Sequence, residues 1–245
     1  MIKPWKLKVA RNISRVYSLL NPVNNKGYLI LMYHSVSNDR KGTYVISKKL
    51  FNSHLQIMLE NFKISELSLK NIVNKGAAIT FDDGFVDNLE IAAPILESNS
   101  IPFTVFISSD NMFNNSSLYL SKNAIRDLAS INGVTIGAHG KTHVPLTSCS
   151  DNDLENEIRG SKQDIEDIIG REVTCMSYPH GKSDSRVISC VKDSGYEFAC
   201  GSRFGLNYNV PNIYDISRSE IWGSDDESVF SQKIRGDWDW LKWKN

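Results

Sequence analysis

Short, continuously apolar runs rich in β-branched and aromatic residues recur along this chain and constrain its fold more than any other feature. They are YLILMY (28–33), AAITF (77–81), FTVFIS (103–108), VTIGA (134–138), VTCMSY (173–178), YEFAC (196–200) and IYDIS (213–217). Runs that lack polar alternation suit strands covered on both faces, as in parallel sheets. Helical patterns separate them. Ser150 and Asp153 form a capping box ahead of a stretch whose Leu154, Ile158, Ile165, Ile168 and Ile169 share one broad face, and Gly170 ends it. The segment from Ser183 to Gly195 repeats that logic. Strand and helix in alternation predict βα units and an α/β fold built on a parallel sheet or barrel.

At 245 residues and 41% hydrophobic content the chain is long enough for one barrel with a substantial core. With no Pro/Gly/Ser-rich linker, low-complexity tract or internal repeat, one compact domain is expected over residues 28–245. A formal net charge of zero argues against a surface devoted to nucleic acid. Charge is uneven all the same: Lys3, Lys6, Lys8, Arg11, Arg15 and Lys26 precede the first acidic residue, Asp39. Residues 1–27 therefore read as a basic extension. Within it Trp5, Val9, Ile13, Val16 and Leu20 recur at helical spacing, so residues 4–20 are predicted to form a basic amphipathic helix. It could pack over the barrel's open side or make peripheral contact with an anionic membrane. Cys149, Cys175, Cys190 and Cys200 show no CxxC spacing and predict reduced thiols in a cytoplasmic protein. No run reaches the length of a signal peptide's apolar core or a transmembrane span.

In βα folds chemistry gathers at the C-terminal ends of the strands. Here those ends carry His34, then Asp82 and Asp83, then His139 with His143, then Pro179, His180 and Gly181. Adjacent aspartates repel, so burial alone would not select them. The spacing of HGKTH (139–143) predicts two imidazoles facing one way on a helical turn, able to share a metal. One aspartate would complete a two-His, one-carboxylate site and the other would remain as a base. DDG is also a common turn and HxxxH a weak motif, but the two coincide at successive strand ends in a chain with 5 histidines. His54 lies inside a helical pattern with no ligand-spaced neighbour and reads as structural, and the WDWLKW tail (238–243) reads as terminal packing, with Trp222 a candidate groove residue.

TFDDG (80–84), HGKTH (139–143) and YPHG (178–181), in that order, resemble the first three motifs of the metal-dependent polysaccharide deacetylases, the NodB-homology carbohydrate esterases. LMYHSV (31–36), LYLSKNAIRDL (118–128) and SRSEIWG (217–223) are similar to the branch acting on poly-N-acetylglucosamine and other bacterial surface glycans. The resemblance implies a distorted, incomplete (β/α) barrel. It implies Asp82 as catalytic base, Asp83, His139 and His143 as metal ligands, and Tyr178, Pro179 and His180 as the oxyanion and substrate-lining segment, with the His180 backbone N–H facing the oxyanion. The cofactor it implies is one divalent ion, zinc above iron, cobalt or nickel. Three positions depart from the family pattern: Ser177 stands in place of an arginine that steadies the catalytic aspartate, Gly140 in place of Ser or Thr, and His180 in place of an aromatic. No histidine follows His180, so the family's late general acid is missing. In the branch with rearranged motifs an early Tyr-His supplies it, which Tyr33-His34 matches, and Arg218 is a candidate for the lost arginine's role.

The expected function is hydrolysis of N-acetyl groups on an amino sugar of a polysaccharide or glycan intermediate, with release of acetate. Alternatives are a catalytically weak glycan-binding protein on the same fold and a metal-dependent esterase or amidase acting on a non-sugar substrate. The expected partners are an N-acetylated glycan, no nucleic acid, and a membrane touched through residues 4–20. The expected location is the cytoplasm, peripheral at the inner membrane surface.

Overall fold

The structure, a computed structural model, describes residues 4–20, 27–113, 117–208, 210 and 212–243. Lys3 and Lys26 of the basic extension lie outside the described residues.

Helix α1 (Pro4–Leu20) precedes strand β1 (Tyr28–Tyr33), the short strands β2 (Ser35–Val36) and β3 (Val45–Ile46), and helices α2 (Lys48–Asn61) and α3 (Leu69–Ile72). Strand β4 (Gly76–Phe81), α4 (Ala93–Ser98), β5 (Phe103–Ile107), α5 (Lys122–Ser130) and β6 (Val134–Ala138) then alternate. Helices α6 (Asp151–Glu155) and α7 (Ser161–Ile169), joined by a π-helical turn, lead to β7 (Cys175–Ser177), α8 (Ser185–Asp193), β8 (Phe198–Cys200), β9 (Ser219–Glu220) and α9 (Glu227–Ile234). The caps follow the sequence closely. Ser150 Oγ accepts from Asp153 N, and Gly170 closes α7 in the left-handed region. At α8 the cap is Asp184, whose carboxylate accepts from Val187 N, one residue later than the Ser183 start that the sequence predicts.

Seven strands form one parallel sheet in the order β8-β7-β6-β5-β4-β1-β9. Of the runs expected as strands, VTCMSY contributes only three residues and IYDIS none, for a reason visible in its hydrogen bonds. Ile216 N donates to Ala199 O and Ile216 O accepts from Gly201 N, a single bridge onto the β8 edge, before the chain crosses to pair β9 with Leu31 and Met32 of β1. The segment 216–220 thus touches both edges of the sheet and curls it into an incomplete (β/α) barrel.

Side-chain parity positions the site. Leu29, Leu31, Tyr33, Ile79, Phe81, Ile136, Ala138 and Met176 join the large core between sheet and helices. Tyr28, Ile30, Ala78, Phe106, Cys175, Phe198, Cys200 and Ile216 form a second cluster on the other face, inside the barrel. Because side chains alternate along a strand, the next residues of that inward set are Met32 and His34, Thr80 and Asp82, His139, Ser177, and Arg218 with Glu220. The barrel is filled with apolar groups below and closed by polar groups at its mouth.

Candidate active site

The mouth is a cleft of about 290 Å³, and Met32, His34, Tyr44, Asp82, Asp83 and His139 are among its lining residues, as are His143, Tyr178, His180, Arg218 and Glu220. Parallel pairing of Tyr33 with Phe81, followed by a 2.9 Å bond from Asp82 N to Tyr33 O, brings His34 and Asp82 to one rim.

Asp82 and Asp83 have opposite surroundings. Asp82 continues the inward parity of β4 and is 2% exposed. Both its oxygens accept from Arg218, Nη1 to Oδ1 and Nη2 to Oδ2, each at 2.7 Å, while Arg218 Nε donates to Gly201 O at 2.8 Å. Burial alone would raise its carboxyl; the Arg218 guanidinium, with His139 and His34, outweighs that and holds it well below the usual carboxylate range. Arg218 therefore stands where the sequence asked for a substitute arginine, reaching Asp82 from the closing segment rather than from β7. Ser177, at the family's arginine position, has its Oγ 2.5 Å from His139 Nδ1 and 3.4 Å from Asp82 Oδ1.

Asp83 turns the other way by adopting φ 73°, and His143 and His180 are also at positive φ, 61° and 59°. Three of the four non-glycine residues with positive φ among the described residues thus sit in this cleft, strain of the kind that collects at functional sites. His139 Nδ1–H donates to Ser177 O at 2.9 Å, which fixes the tautomer and leaves the Nε2 lone pair toward the cleft. That lone pair lies 3.5 Å from Asp83 Oδ1, and His143 Nε2 lies 3.2 Å from the same oxygen. Asp83 Oδ1 is buried yet receives no donor in hydrogen-bond geometry. A positive charge between them would satisfy both atoms. Donors about 2.1 Å from a tetrahedral zinc stand about 3.4 Å apart, so the set fits a small divalent cation. Asp83, His139 and His143 are also the cluster whose ligand atoms all lie within 4.8 Å of one another. Burial lowers the His139 pKa despite Asp82 and Asp83, keeping it a neutral donor, whereas contact with Asp83 raises that of His143.

The two imidazoles do not share a helical turn, contrary to the sequence expectation. Gly140 takes φ +70° and His143 φ 61°, which break a helix, and the rings converge at 4.9 Å between centroids through a loop instead. Glu157 holds that loop: its Oε2 accepts from Lys141 N at 2.8 Å and Thr142 N at 3.0 Å, and its Oε1 from Thr142 Oγ1 at 2.5 Å. A Cβ on Gly140 would meet Pro179 Cγ at 3.1 Å and Glu157 Oε2 at 3.2 Å, which explains glycine where Ser or Thr was expected.

His34 stacks on Tyr44 at 4.6 Å, its carbonyl accepts from Asn88 Nδ2, and its Nδ1 is buried without a partner. His180 is exposed beside His143, at 4.7 Å between ring centroids, and its Nε2 donates to His143 O. Tyr178 is anchored by a 2.7 Å bond to Tyr214 O, and Pro179 is buried against the Gly140 turn rather than lining the cleft. His54 is structural: buried in α2, it stacks on Phe230 at 3.8 Å and donates from Nε2 to Asp225 O. Trp222 does not line the cleft; it packs on Trp238 and Lys233 and donates to Glu220 Oε2. Tyr44, Glu157 and Glu220 were not found from sequence: Tyr44 and Glu157 sit in no motif, and Glu220 lies within SRSEIWG (217–223), where only Arg218 was singled out.

An incomplete parallel barrel whose mouth joins a carboxylate pair to two imidazoles defines a hydrolase of the carbohydrate-esterase type. The chain belongs to the polysaccharide deacetylase family, whose sequence model matches residues 70–199. It is 25% identical over 214 residues to YxkH of Bacillus subtilis (strain 168), a polysaccharide deacetylase by name, covering 84% of this chain and 75% of that one. In fold it is similar to the Streptococcus pyogenes deacetylase PplD, solved in complex with acetate, with TM-score 0.74, 19% identity, and 85% and 98% of the two chains covered. It is likewise similar to IcaB from Ammonifex degensii, with TM-score 0.73, 17% identity, and 87% and 97% covered.

Proposed function

We propose that the protein hydrolyses the N-acetyl group of an N-acetylated amino sugar in a polysaccharide or glycan intermediate, in a metal-dependent reaction that yields acetate and a free amine. The observation that carries this reading is the convergence of His139 Nε2 and His143 Nε2 on the buried Asp83 Oδ1, at 3.5 and 3.2 Å, with Asp82 clamped by Arg218 beside them. Asp83, His139 and His143 would hold the divalent ion, zinc before iron, cobalt or nickel. Arg218 keeps Asp82 ionised and so always open to a proton, at the expense of basicity; a bound divalent ion would restore the balance by acidifying the attacking water and polarising the acetyl carbonyl.

Asp82 takes the proton as the water oxygen bonds to the carbonyl carbon. The backbone N–H of His180 steadies the oxyanion that forms. His34 then gives a proton to the sugar nitrogen as the C–N bond breaks, and acetate and the amine depart. Tyr44 holds the His34 ring in place by stacking. Acetate release from N-acetylglucosamine oligomers tests the reading. Activity should vanish on chelation and return with zinc, cobalt or nickel, and faster release from O-acetylated non-sugar esters than from every N-acetylated sugar would overturn it.

A further inference from the structure

We propose that α1 is an interfacial anchor that lays an apolar stripe on an anionic lipid bilayer. The helix docks on the body, but not by the face its sequence pattern would bury. Ser14 is fully buried and receives Trp240 Nε1–H at 2.9 Å, Ala10 packs against the Phe204, Val229 and Trp238 cluster, and Arg11 is paired with Asp226 at 2.6 Å. The opposite face is left outside. Val9 is 49% exposed, Ile13 42%, Val16 57%, Leu19 81% and Leu20 75%, so five of the eleven large hydrophobic residues exposed among the described residues lie on this helix. At 3.6 residues per turn these five positions fall within an arc of about 120°, interrupted only by Asn12.

The occupant is specified by charge. Positions 6 on one flank of the arc and 8 and 15 on the other are Lys6, Lys8 and Arg15, and α1 contains no acidic residue. An apolar arc edged by cations on both sides matches an interfacial helix that sinks into the headgroup boundary while its basic residues meet anionic lipid. A second copy of the chain is the poorer occupant, because antiparallel or parallel pairing of two such arcs sets cation against cation at both rims. No helix among the described residues is long and apolar enough to cross a membrane, so the contact is surface-bound.

The test is co-sedimentation of the full chain with vesicles of phosphatidylglycerol and phosphatidylcholine, with pure phosphatidylcholine vesicles in parallel. Binding to the anionic vesicles is expected, weakened by 0.5 M salt through screening and lowered about ten-fold or more by Val16→Glu or Arg15→Glu, while circular dichroism and the melting curve stay as in the parent chain. Failure to bind anionic vesicles, equal binding to neutral ones, or binding unmoved by both substitutions overturns the proposal. So does a concentration-dependent dimer that Val16→Glu dissociates, which would assign the stripe to a second copy. None of these readouts depends on deacetylation.

Discussion

Removing the guanidinium of Arg218 would leave Asp82 charged and 2% exposed, without the two 2.7 Å bonds that offset its burial. Breaking one side of a buried pair costs about 3–5 kcal/mol, because the remaining charge is left unpaired. Arg218→Met should therefore lower the unfolding free energy by about that amount in urea melts, and Asp82→Asn added to it should return part of the loss. An additive double variant would show that the two residues do not act as a pair. The proton donor is a separate question at this scale. His34→Gln should leave metal content intact and lower kcat by about 10²–10⁴-fold, the usual worth of a positioned acid. The deficit should shrink for an ester with a good leaving group, which hardly needs protonation. A collapse in His180→Gln with near-normal turnover in His34→Gln would move the role to His180.

At the scale of elements, the β6–α6 loop and helix α2 carry the burden. Glu157 holds the loop by two backbone N–H groups and a hydroxyl, so Glu157→Gln, which turns one acceptor into a donor, should weaken metal binding about 10–100-fold with little change in the far-UV spectrum. Titration with a competing chelator checks it, and unchanged affinity would reduce Glu157 to a loop brace. In α2, burial lowers the His54 pKa to about 4, from the ordinary histidine value of about 6.5. Between those values the unfolded chain binds the proton and the folded one does not, so stability falls as pH drops from about 6.5 and levels off below about 4. The loss amounts to about 3 kcal/mol at most. Melts at pH 7.5 and 5 should show it, and His54→Gln should flatten that slope. The strands were legible because fully buried parallel strands read as continuous apolar runs, and parity then sends Asp82, His139 and Ser177 inward together. What sequence could not give was tertiary in origin. Positive φ at Gly140 and His143 replaced the expected helical turn, Ile216 spends its backbone on a single bridge, and Tyr44 and Glu157 enter the site from segments with no motif. Helical spacing likewise showed that α1 has an apolar stripe but not that the stripe faces away from the protein.

Across the whole molecule, closure and the proposed metal binding would be two forms of one constraint. The segment 216–220 joins the sheet's edges on one side of the mouth, and Asp83 and His139 stand at the ends of β4 and β6 with β5 between them. A cation held by Asp83, His139 and His143 would tie those two strand ends together and relieve the repulsion between the His139 lone pair and Asp83 Oδ1. The unfolded chain has no such site, because the two ligand groups are separated by more than fifty residues of sequence, so binding adds to folding stability by mass action. At a free metal concentration a hundred times the dissociation constant the gain is about 2.7 kcal/mol. For a chain of this size that corresponds to a rise in Tm of about 5–10 °C. Thermal melts of stripped protein with and without zinc should show the shift, and it should disappear in His139→Ala and His143→Ala while surviving in His34→Gln. A shift of the same size in His139→Ala would place the ion elsewhere on the molecule, and the absence of any shift in the parent chain across zinc, cobalt, nickel and iron would remove the metal from the proposed reaction.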